Sequence, residues 1–174
     1  MSDTIIINLI GGPQSGKTTT ATGLFSELKK TGMDVEFVGD IVKPHMYEEH
    51  KGILSHQISL FAEQLYKIDS LVGKVDCIIQ DGSLLLNAVY DKTNNQLFKA
   101  LVIQEYSRFK NLDFFLNREG IKYNINDTIY TQAEALALDK KIIDIYNFSG
   151  APIININATN SINEILNYIA AIEA

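Results

Sequence analysis

The sequence predicts an α/β fold in which a five-stranded parallel sheet, in the order 2-3-1-4-5, carries helices on both faces. Two observations lead to this prediction. Five short apolar runs alternate with helical patterns along the 174 residues, and this alternation is typical of parallel sheets covered on both sides. A glycine-rich segment directly follows the first apolar run. Together with the right-handed crossovers of parallel sheets, that placement favours the stated strand order.

Each element follows from its own pattern of apolar residues. The predicted strands, each a short run rich in apolar side chains, are Thr4–Ile10, Val35–Gly39, Val75–Gln80, Leu112–Leu116 and Pro152–Asn157. The predicted helices are Lys17–Thr31, Gln57–Leu71, Gln96–Phe109, Thr131–Phe148 and a last one from Ser161 to the end of the sequence. Residues 118–130 are the least regular segment, and we predict that they form a lid.

Composition indicates one compact domain over residues 1–174, since 46% of the residues are apolar and the chain is short for two domains. No apolar stretch approaches the length of a membrane span, and the N-terminus lacks the order of a signal peptide, so we expect a cytoplasmic protein. A net charge of −6 argues against a broad surface for duplex nucleic acid. The single cysteine, Cys77, lies in an apolar run and is interpreted as a core residue.

The glycine-rich segment matches every position of the G-x-x-x-x-G-K-[ST] pattern between residues 11 and 18. In such a P-loop, backbone N–H groups and the positive end of the next helix surround phosphate. Lys17 is predicted to reach the β- and γ-phosphates, and Thr18 to bind Mg²⁺ through its hydroxyl. We therefore expect ATP and Mg²⁺ at this loop. The predicted nucleotide-binding residues are Gly12, Pro13, Gln14, Ser15, Gly16, Lys17, Thr18 and Thr19.

Two acidic residues follow predicted strands, where ligands of open parallel sheets collect. Asp81, after the third strand, fits a carboxylate that completes the Mg²⁺ site with Thr18; the alternative is a cap for a helix beginning near Leu84. Asp40, after the second strand, is a candidate general base and acceptor-binding residue for an attacking hydroxyl. Its alternative is an ordinary turn residue.

The chain has two arginines, and phosphoryl transfer usually places one against the developing charge. Arg118, at the start of the predicted lid, is the candidate catalytic residue. Arg108 falls on a predicted helix, where a solvated surface role is expected. Lys122 either assists from the lid or is a solvent-exposed loop residue.

An acceptor pocket is predicted between Asp40 and the helix that bears Gln57, Phe61 and Gln64, which recur at helical spacing. An amide beside an aromatic ring suits a planar base, although Phe61 in the core with solvated glutamines fits the pattern equally well. The three histidines at positions 45, 50 and 56 are irregularly spaced, and no carboxylate or cysteine partner is evident at a fixed offset. We therefore expect no metal site there.

Several blocks of the sequence together resemble a bacteriophage family of small P-loop ATPases and kinases. That family is similar to the ribosylnicotinamide kinase domain of NadR and, more distantly, to polynucleotide and deoxynucleoside kinases. The blocks are residues 11–18, Gln57 with residues 61–64, residues 73–76 leading to 81–86, and residues 114–118. The resemblance implies a P-loop kinase fold, with Lys17 and Thr18 at phosphate and Mg²⁺, Asp81 as the strand-three carboxylate, Arg118 as the lid arginine, and Asp40 where hydroxyl kinases place an acidic residue.

The resemblance has one departure. Many members carry a Gly-Arg pair and a Gln-Thr pair late in the lid, where residues 126–131 here read Asn-Asp-Thr-Ile-Tyr-Thr. The second lid arginine is thus missing.

The function expected from these observations is an ATP-dependent kinase that phosphorylates a hydroxyl of a nucleoside, nucleotide or nucleotide-like base in the cytoplasm, that of the host if a phage encodes it. Some related phage kinases act on 5-hydroxymethyluracil in DNA, so DNA is an alternative acceptor. The protein would then bind a base that is flipped out of the duplex. A third alternative, from another class, is a P-loop ATPase that changes shape for a protein partner. No membrane partner is expected.

Overall fold

A computed structural model of the chain describes residues 4–124 and 130–173. Its five strands form one all-parallel sheet in the order β2-β3-β1-β4-β5. The strands are β1 Ile5–Ile10, β2 Val35–Val38, β3 Cys77–Asp81, β4 Lys110–Asn117 and β5 Ile154–Asn157. The predicted fold class and strand order are confirmed, and each strand lies within a few residues of its predicted range.

The helices, in chain order, are α1 Lys17–Lys30, α2 Val42–Tyr47, α3 Lys51–Leu54, α4 Gln57–Leu71, α5 Leu86–Tyr90, α6 Gln96–Tyr106, α7 Gln132–Ser149 and α8 Ser161–Glu173. The five longer ones match the sequence prediction closely. The three short ones, α2, α3 and α5, were not predicted. Neither α2 nor α3 contains a buried residue, so the sequence there has no apolar stripe to indicate a helix.

The sheet has a separate apolar core on each face. Alternate side chains of a strand point to opposite faces, and β1 shows this directly. Ile6 and Ile10 pack in the core that α4, α5, α6 and α7 cover. Ile7 and Leu9 pack with residues of α1 and α8, including Leu24 and Ile165, in the other core. This arrangement confirms the prediction of helices on both faces, and Cys77 is buried in the second core as expected.

A buried polar cluster lies between the sheet and α7. Asp113 of β4 accepts hydrogen bonds from the hydroxyls of Tyr106 and Tyr146, and Tyr146 also contacts Ser83. Ser83 lies two residues after Asp81, at the carboxyl end of β3. The cluster therefore connects the interior of the sheet with the edge at which the predicted site residues collect.

No helix in the described parts of the chain is both long enough and apolar enough to cross a membrane. A cleft also opens at the amino ends of β1 and β3, the edge of the sheet opposite the P-loop. It is lined in part by Met33, Gly73, Val75 and Ile172, and it contains none of the predicted site residues.

Candidate active site

The P-loop connects β1 to α1 through a tightly turned backbone. Gly11, Gln14 and Gly16 all have positive φ angles, of 145°, 57° and 85°. Lys17 folds back across the loop, and its Nζ donates to the carbonyl oxygens of Gly11 and Gly12 at 2.9 Å each. The turns thus bring the lysine ammonium against the loop itself, where an incoming phosphate would replace the two carbonyls as its partner.

Charged groups from four elements surround Lys17. Burial lowers the pKa of the Lys17 ammonium and Arg118 lowers it further, whereas the carboxylates of Asp81, Asp40 and Asp139 raise it. Three separate segments therefore contribute carboxylates near one lysine. Such a convergence of opposed charges is typical of active sites.

Thr18 and Asp81, the two predicted Mg²⁺ ligands, are in direct contact. The Thr18 hydroxyl donates to Asp81 Oδ2 at 2.6 Å. Asp81 ends β3 and is 8% exposed. Burial raises the pKa of its carboxyl, while the Thr18 hydrogen bond and Lys17 lower it. The helix-cap alternative for Asp81 is wrong, because α5 begins at Leu86 and no side chain caps it.

Gly12 is held from α7. Its backbone N–H donates to Asp139 Oδ1 at 2.7 Å, and Arg118 Nη2 contacts the same carboxylate at 2.8 and 2.9 Å. A Cβ at Gly12 would lie 2.8 Å from the backbone carbonyl oxygen of Ala135 in α7, so a larger residue would force the loop and the helix apart. The Gly12 N–H, predicted to face phosphate, is thus engaged by a side chain in this structure.

The guanidinium group of Arg118 lies at the edge of the P-loop. Its side chain is 10% exposed, and among the described residues Nε and Nη1 have no hydrogen-bond partner. Ser15 Oγ, in the P-loop, is likewise buried without a partner among the described residues. Because buried donors are normally satisfied, these atoms suit an anionic ligand that supplies the missing acceptors.

Asp40 follows β2, and its carboxylate accepts from the first backbone N–H groups of α2. Its Oδ1 accepts from the backbone N–H groups of Val42 at 2.7 Å and Lys43 at 3.3 Å. The turn role considered for Asp40 is therefore observed, while Oδ2 accepts no hydrogen bond from the described residues. Asp40 also acts electrostatically on Lys17 and Asp81, which puts it at the same cleft. One carboxylate oxygen is engaged and the other is available, so the base role stays a prediction.

The acceptor-side residues are only partly arranged as predicted. Phe61 is 3% exposed and packs edge-on against Phe98, with ring centroids 5.6 Å apart. It belongs to the core, and the prediction that it stacks on an acceptor base is wrong for this structure. The glutamines are not simply solvated either. Gln57 Nε2 donates to Asn87 Oδ1 at 2.7 Å, and Asn87 Nδ2 donates to Gln64 Oε1 at 2.6 Å.

The first part of the predicted lid contacts the P-loop. Gln14 binds the backbone of Asn124 twice, with its Oε1 accepting from the Asn124 N–H at 2.7 Å and its Nε2 donating to the Asn124 carbonyl. Tyr123 donates to the Tyr130 carbonyl at 2.7 Å. Residues 125–129, which include most of the segment that departs from the resembled family, lie outside the described residues.

The remaining residues considered in the sequence analysis are Arg108, Lys122 and the histidines. Arg108 pairs on the surface with Asp69 and Glu105, in the turn after α6 rather than on the helix. Lys122 is exposed. The reason for setting the histidines aside is wrong, since carboxylates do lie beside His45 and His50.

The sequence analysis missed Asp139, Lys43, Asn87 and Tyr90. Lys43 Nζ lies 3.4 Å from Thr18 Oγ1. Burial together with Tyr130, Asp40 and Asp139 raises the pKa of Tyr90 to about 12. Asp139 had a detectable signal. It is spaced at helical intervals from Ala135 and Ile142, both fully buried, so the sequence puts a carboxylate beside the apolar stripe of α7.

Comparison with known proteins agrees with the fold described above. No curated protein matches the sequence. Two examples among the solved structures that share the fold are similar over nearly the whole chain. A deoxyadenosine kinase from M. mycoides, with the products dCMP and a flexible dCDP bound, is 18% identical with a TM-score of 0.57, covering 97% of this chain and 99% of that one. A thymidylate kinase from Ehrlichia chaffeensis is 14% identical with a TM-score of 0.60, covering 95% and 97%.

At such low identities, these two structures establish likeness of fold alone. The family is shown by a sequence model for the AAA domain, which matches residues 6–164 and so includes the P-loop, Asp40, Asp81, Arg118 and Asp139. Because that match spans most of the sequence, the chain belongs to the AAA domain family.

Proposed function

We propose that this protein is an ATP-dependent kinase that transfers the γ-phosphoryl group to a hydroxyl of a nucleoside, a nucleotide or a nucleotide-like base. The observation that carries the proposal is the contact between Thr18 and Asp81 at 2.6 Å, directly beside the Lys17 ammonium. A hydroxyl and a carboxylate on the ends of α1 and β3 form the oxygen donor set that Mg²⁺ takes beside a nucleotide.

The residues present fit a nucleotide and its metal ion. The unpartnered Ser15 Oγ and Arg118 Nε and Nη1 can donate to phosphate oxygens, and Lys17 can exchange its two carbonyl partners for them. Thr18 and Asp81 would hold Mg²⁺, which when bound neutralises charge on the phosphate oxygens. Lys17 and Arg118 stabilise the charge that develops during transfer.

Asp40 is proposed as the general base. Its Oδ1 is fixed by two backbone N–H groups, and a fixed carboxylate loses little freedom when it accepts a proton. The acceptor hydroxyl gives its proton to Oδ2 while its oxygen bonds to the γ-phosphorus and the bond from that phosphorus to the β–γ bridging oxygen breaks. The products are the phosphorylated acceptor and ADP.

The acceptor pocket is proposed to lie between Asp40 and the amide cluster of Gln57, Asn87 and Gln64. The cluster bonds use Gln57 Nε2 and Gln64 Oε1. Gln57 Oε1 and Gln64 Nε2 take no part in them, and together they offer one acceptor and one donor to the edge of a planar base. Because Asn87 holds both glutamines in place, the pocket would be ordered before the acceptor binds.

The kinase assignment is favoured by the comparison structures, whose names are those of a deoxyadenosine kinase and a thymidylate kinase. A phage origin, and 5-hydroxymethyluracil in DNA as the acceptor, belong to the resemblance described from the sequence. The net charge of −6 favours a small acceptor over DNA, because phosphate contacts dominate DNA affinity.

A switch ATPase is the second candidate function, and one observation favours it. The P-loop residue Gln14 holds the backbone of Asn124 at the lid, so a nucleotide that moved Gln14 would alter the lid without any acceptor. In that case Asp40 would be dispensable for turnover.

The deciding experiment offers γ-labelled ATP with Mg²⁺ to parallel acceptors: a nucleoside and nucleotide panel, nicotinamide riboside, plain DNA, and DNA containing 5-hydroxymethyluracil. Label on a small molecule supports a metabolite kinase, and label on modified DNA alone supports a DNA-base kinase. Free phosphate with no labelled acceptor would overturn the kinase proposal in favour of the switch ATPase. A Lys17→Ala variant controls for contaminating kinases, since it should lose every signal.

A further inference from the structure

Three side chains with metal-binding atoms converge between α2 and α4. His45 lies in α2, Glu48 ends that helix, and His50 precedes α3. The Nδ1 atoms of the two histidines are 3.3 Å apart, and His50 Nδ1 is 3.1 Å from Glu48 Oε2. One ligand atom from each residue lies within 4.8 Å of the others. Glu49 turns the chain with a φ of 56°, which brings residues on both sides of it together.

The separations match those around a tetrahedral ion. Two ligand atoms about 2.0–2.1 Å from a zinc ion, at the tetrahedral angle, lie about 3.3–3.4 Å from each other. The observed 3.3 and 3.1 Å contacts are close to that spacing. Two imidazole nitrogens with one carboxylate oxygen form a donor set for Zn²⁺. Mg²⁺ prefers oxygen ligands, so this set differs in kind from that of Thr18 and Asp81.

A fourth residue orients the first histidine. Glu63 of α4 contacts His45 Nε2 through its Oε2 at 2.7 Å, and its Oε1 accepts from Lys67 at 2.8 Å. With its proton on Nε2, His45 presents the lone pair of Nδ1 toward His50. A carboxylate on the far nitrogen of a ligating histidine is the usual outer partner of a metal site. The His45 side chain is 13% exposed, which limits its movement.

We propose that His45, Glu48 and His50 bind one Zn²⁺ ion, with Glu63 as the positioning residue behind His45. The Glu48 and His50 side chains are 60% and 48% exposed, so the fourth coordination position faces solvent and takes water. The ion joins the end of α2 to the start of α3 and, through Glu63, to α4. It thereby fixes the segment that leads from Asp40 to the amide cluster. The site shares no residue with the P-loop or with the proposed Mg²⁺ site.

The test measures Zn²⁺ binding by the whole chain in excess Mg²⁺, which occupies the Thr18–Asp81 site. Calorimetry and elemental analysis after dialysis should give one tightly held Zn²⁺ per chain, and Co²⁺ should give the strong visible absorption of a tetrahedral complex. His50→Ala removes an exposed ligand and should abolish both signals. Glu63→Gln should weaken binding about 10- to 100-fold while keeping one site.

The matched control is His56→Ala, which removes the remaining histidine at the cap of α4 and outside the cluster. It should bind Zn²⁺ as the unmodified chain does. Circular dichroism should show that every variant is folded, and Zn²⁺ should raise the melting temperature of the unmodified chain but not of His50→Ala. Two results would overturn the proposal: an unmodified chain that retains no Zn²⁺, or equal binding by His50→Ala and His56→Ala.

Discussion

Asp139 of α7 accepts a hydrogen bond from the backbone N–H of Gly12 at 2.7 Å, across 127 positions of sequence. The same carboxylate pairs with Arg118. One side chain therefore holds the phosphate-binding loop and the lid arginine together. Its charge and its shape contribute separately, and the two contributions can be separated by mutation.

Asp139→Ala should destabilise the protein by about 3 kcal/mol, because it leaves the Arg118 guanidinium buried without its partner. Asp139→Asn keeps an oxygen that can accept from Gly12 and Arg118 and removes only the charge, so it should destabilise the protein less than alanine does. Urea unfolding measures the difference, and equal free energies of unfolding for the two variants would contradict this interpretation.

Asp40→Asn tests the proposed base without disturbing the turn. Asparagine keeps the oxygen that accepts from Val42 and Lys43 but cannot take a proton from the acceptor. The variant should lose about 10²- to 10⁴-fold in kcat while its affinity for ATP is unchanged. Asp40→Ala, which also removes the acceptor of these two hydrogen bonds, should lower stability in addition. Full kinase activity in Asp40→Asn would remove Asp40 from the mechanism.

Asp81→Asn tests the metal site. The amide can still accept the Thr18 hydrogen bond, but it lacks the charge that attracts Mg²⁺. We expect the Mg²⁺ concentration that gives half-maximal turnover to rise at least about tenfold. Asp69→Asn, which alters a surface partner of Arg108, is the matched control and should leave the Mg²⁺ dependence unchanged. An Asp81→Asn curve that overlays the control would show that Asp81 is not a metal ligand.

Asp113 should make stability depend on pH. Burial raises the pKa of its carboxyl from an ordinary 3.8 to about 6. The folded state therefore binds more protons than the unfolded state between these values. Its stabilising contribution is fully present below pH 3.8 and is lost as the pH rises through 6. The difference amounts to about 3 kcal/mol.

The measurement compares the unmodified chain with Asp113→Asn in urea at several values between pH 4 and pH 7. The free energy of unfolding of the unmodified chain, relative to the variant, should increase as the pH falls across this range. Taking the difference cancels the other carboxylates, which titrate in both proteins. A difference that does not vary with pH would show that Asp113 is ionised at both ends of the range.

Most of the fold could be predicted because its signals are local. The five strands are short runs rich in apolar residues, and the P-loop pattern is made of adjacent residues. The short helices could not be predicted in this way. Helix α2 contains Pro44 in its first turn, where proline is tolerated, and it buries no side chain. The hydrogen bond from the Val42 N–H to Asp40 is a local sign of the helix start, and it is visible only in the structure.

The positions of Lys17, Thr18 and Asp81 beside one another could be predicted, because one strand end or one motif determines each of them. Site residues were missed where two distant segments must meet. Nothing near Gly12 in the sequence indicates that a residue of α7 holds it. Phe61 was wrongly included in the site. The helical spacing of Gln57, Phe61 and Gln64 does not reveal which face of α4 the sheet covers. That face is decided by packing against Phe98, which the local sequence does not contain.

The charges around the loop have a consequence for what binds there. The groups described above carry three positive and three negative formal charges, on Lys17, Lys43, Arg118, Asp40, Asp81 and Asp139. They sum to zero, so the protein brings no surplus of positive charge to offset a triphosphate. A bound Mg²⁺ ion would offset part of the negative charge of the nucleotide. We therefore expect ATP to bind as its Mg²⁺ complex, with the free nucleotide a much weaker ligand.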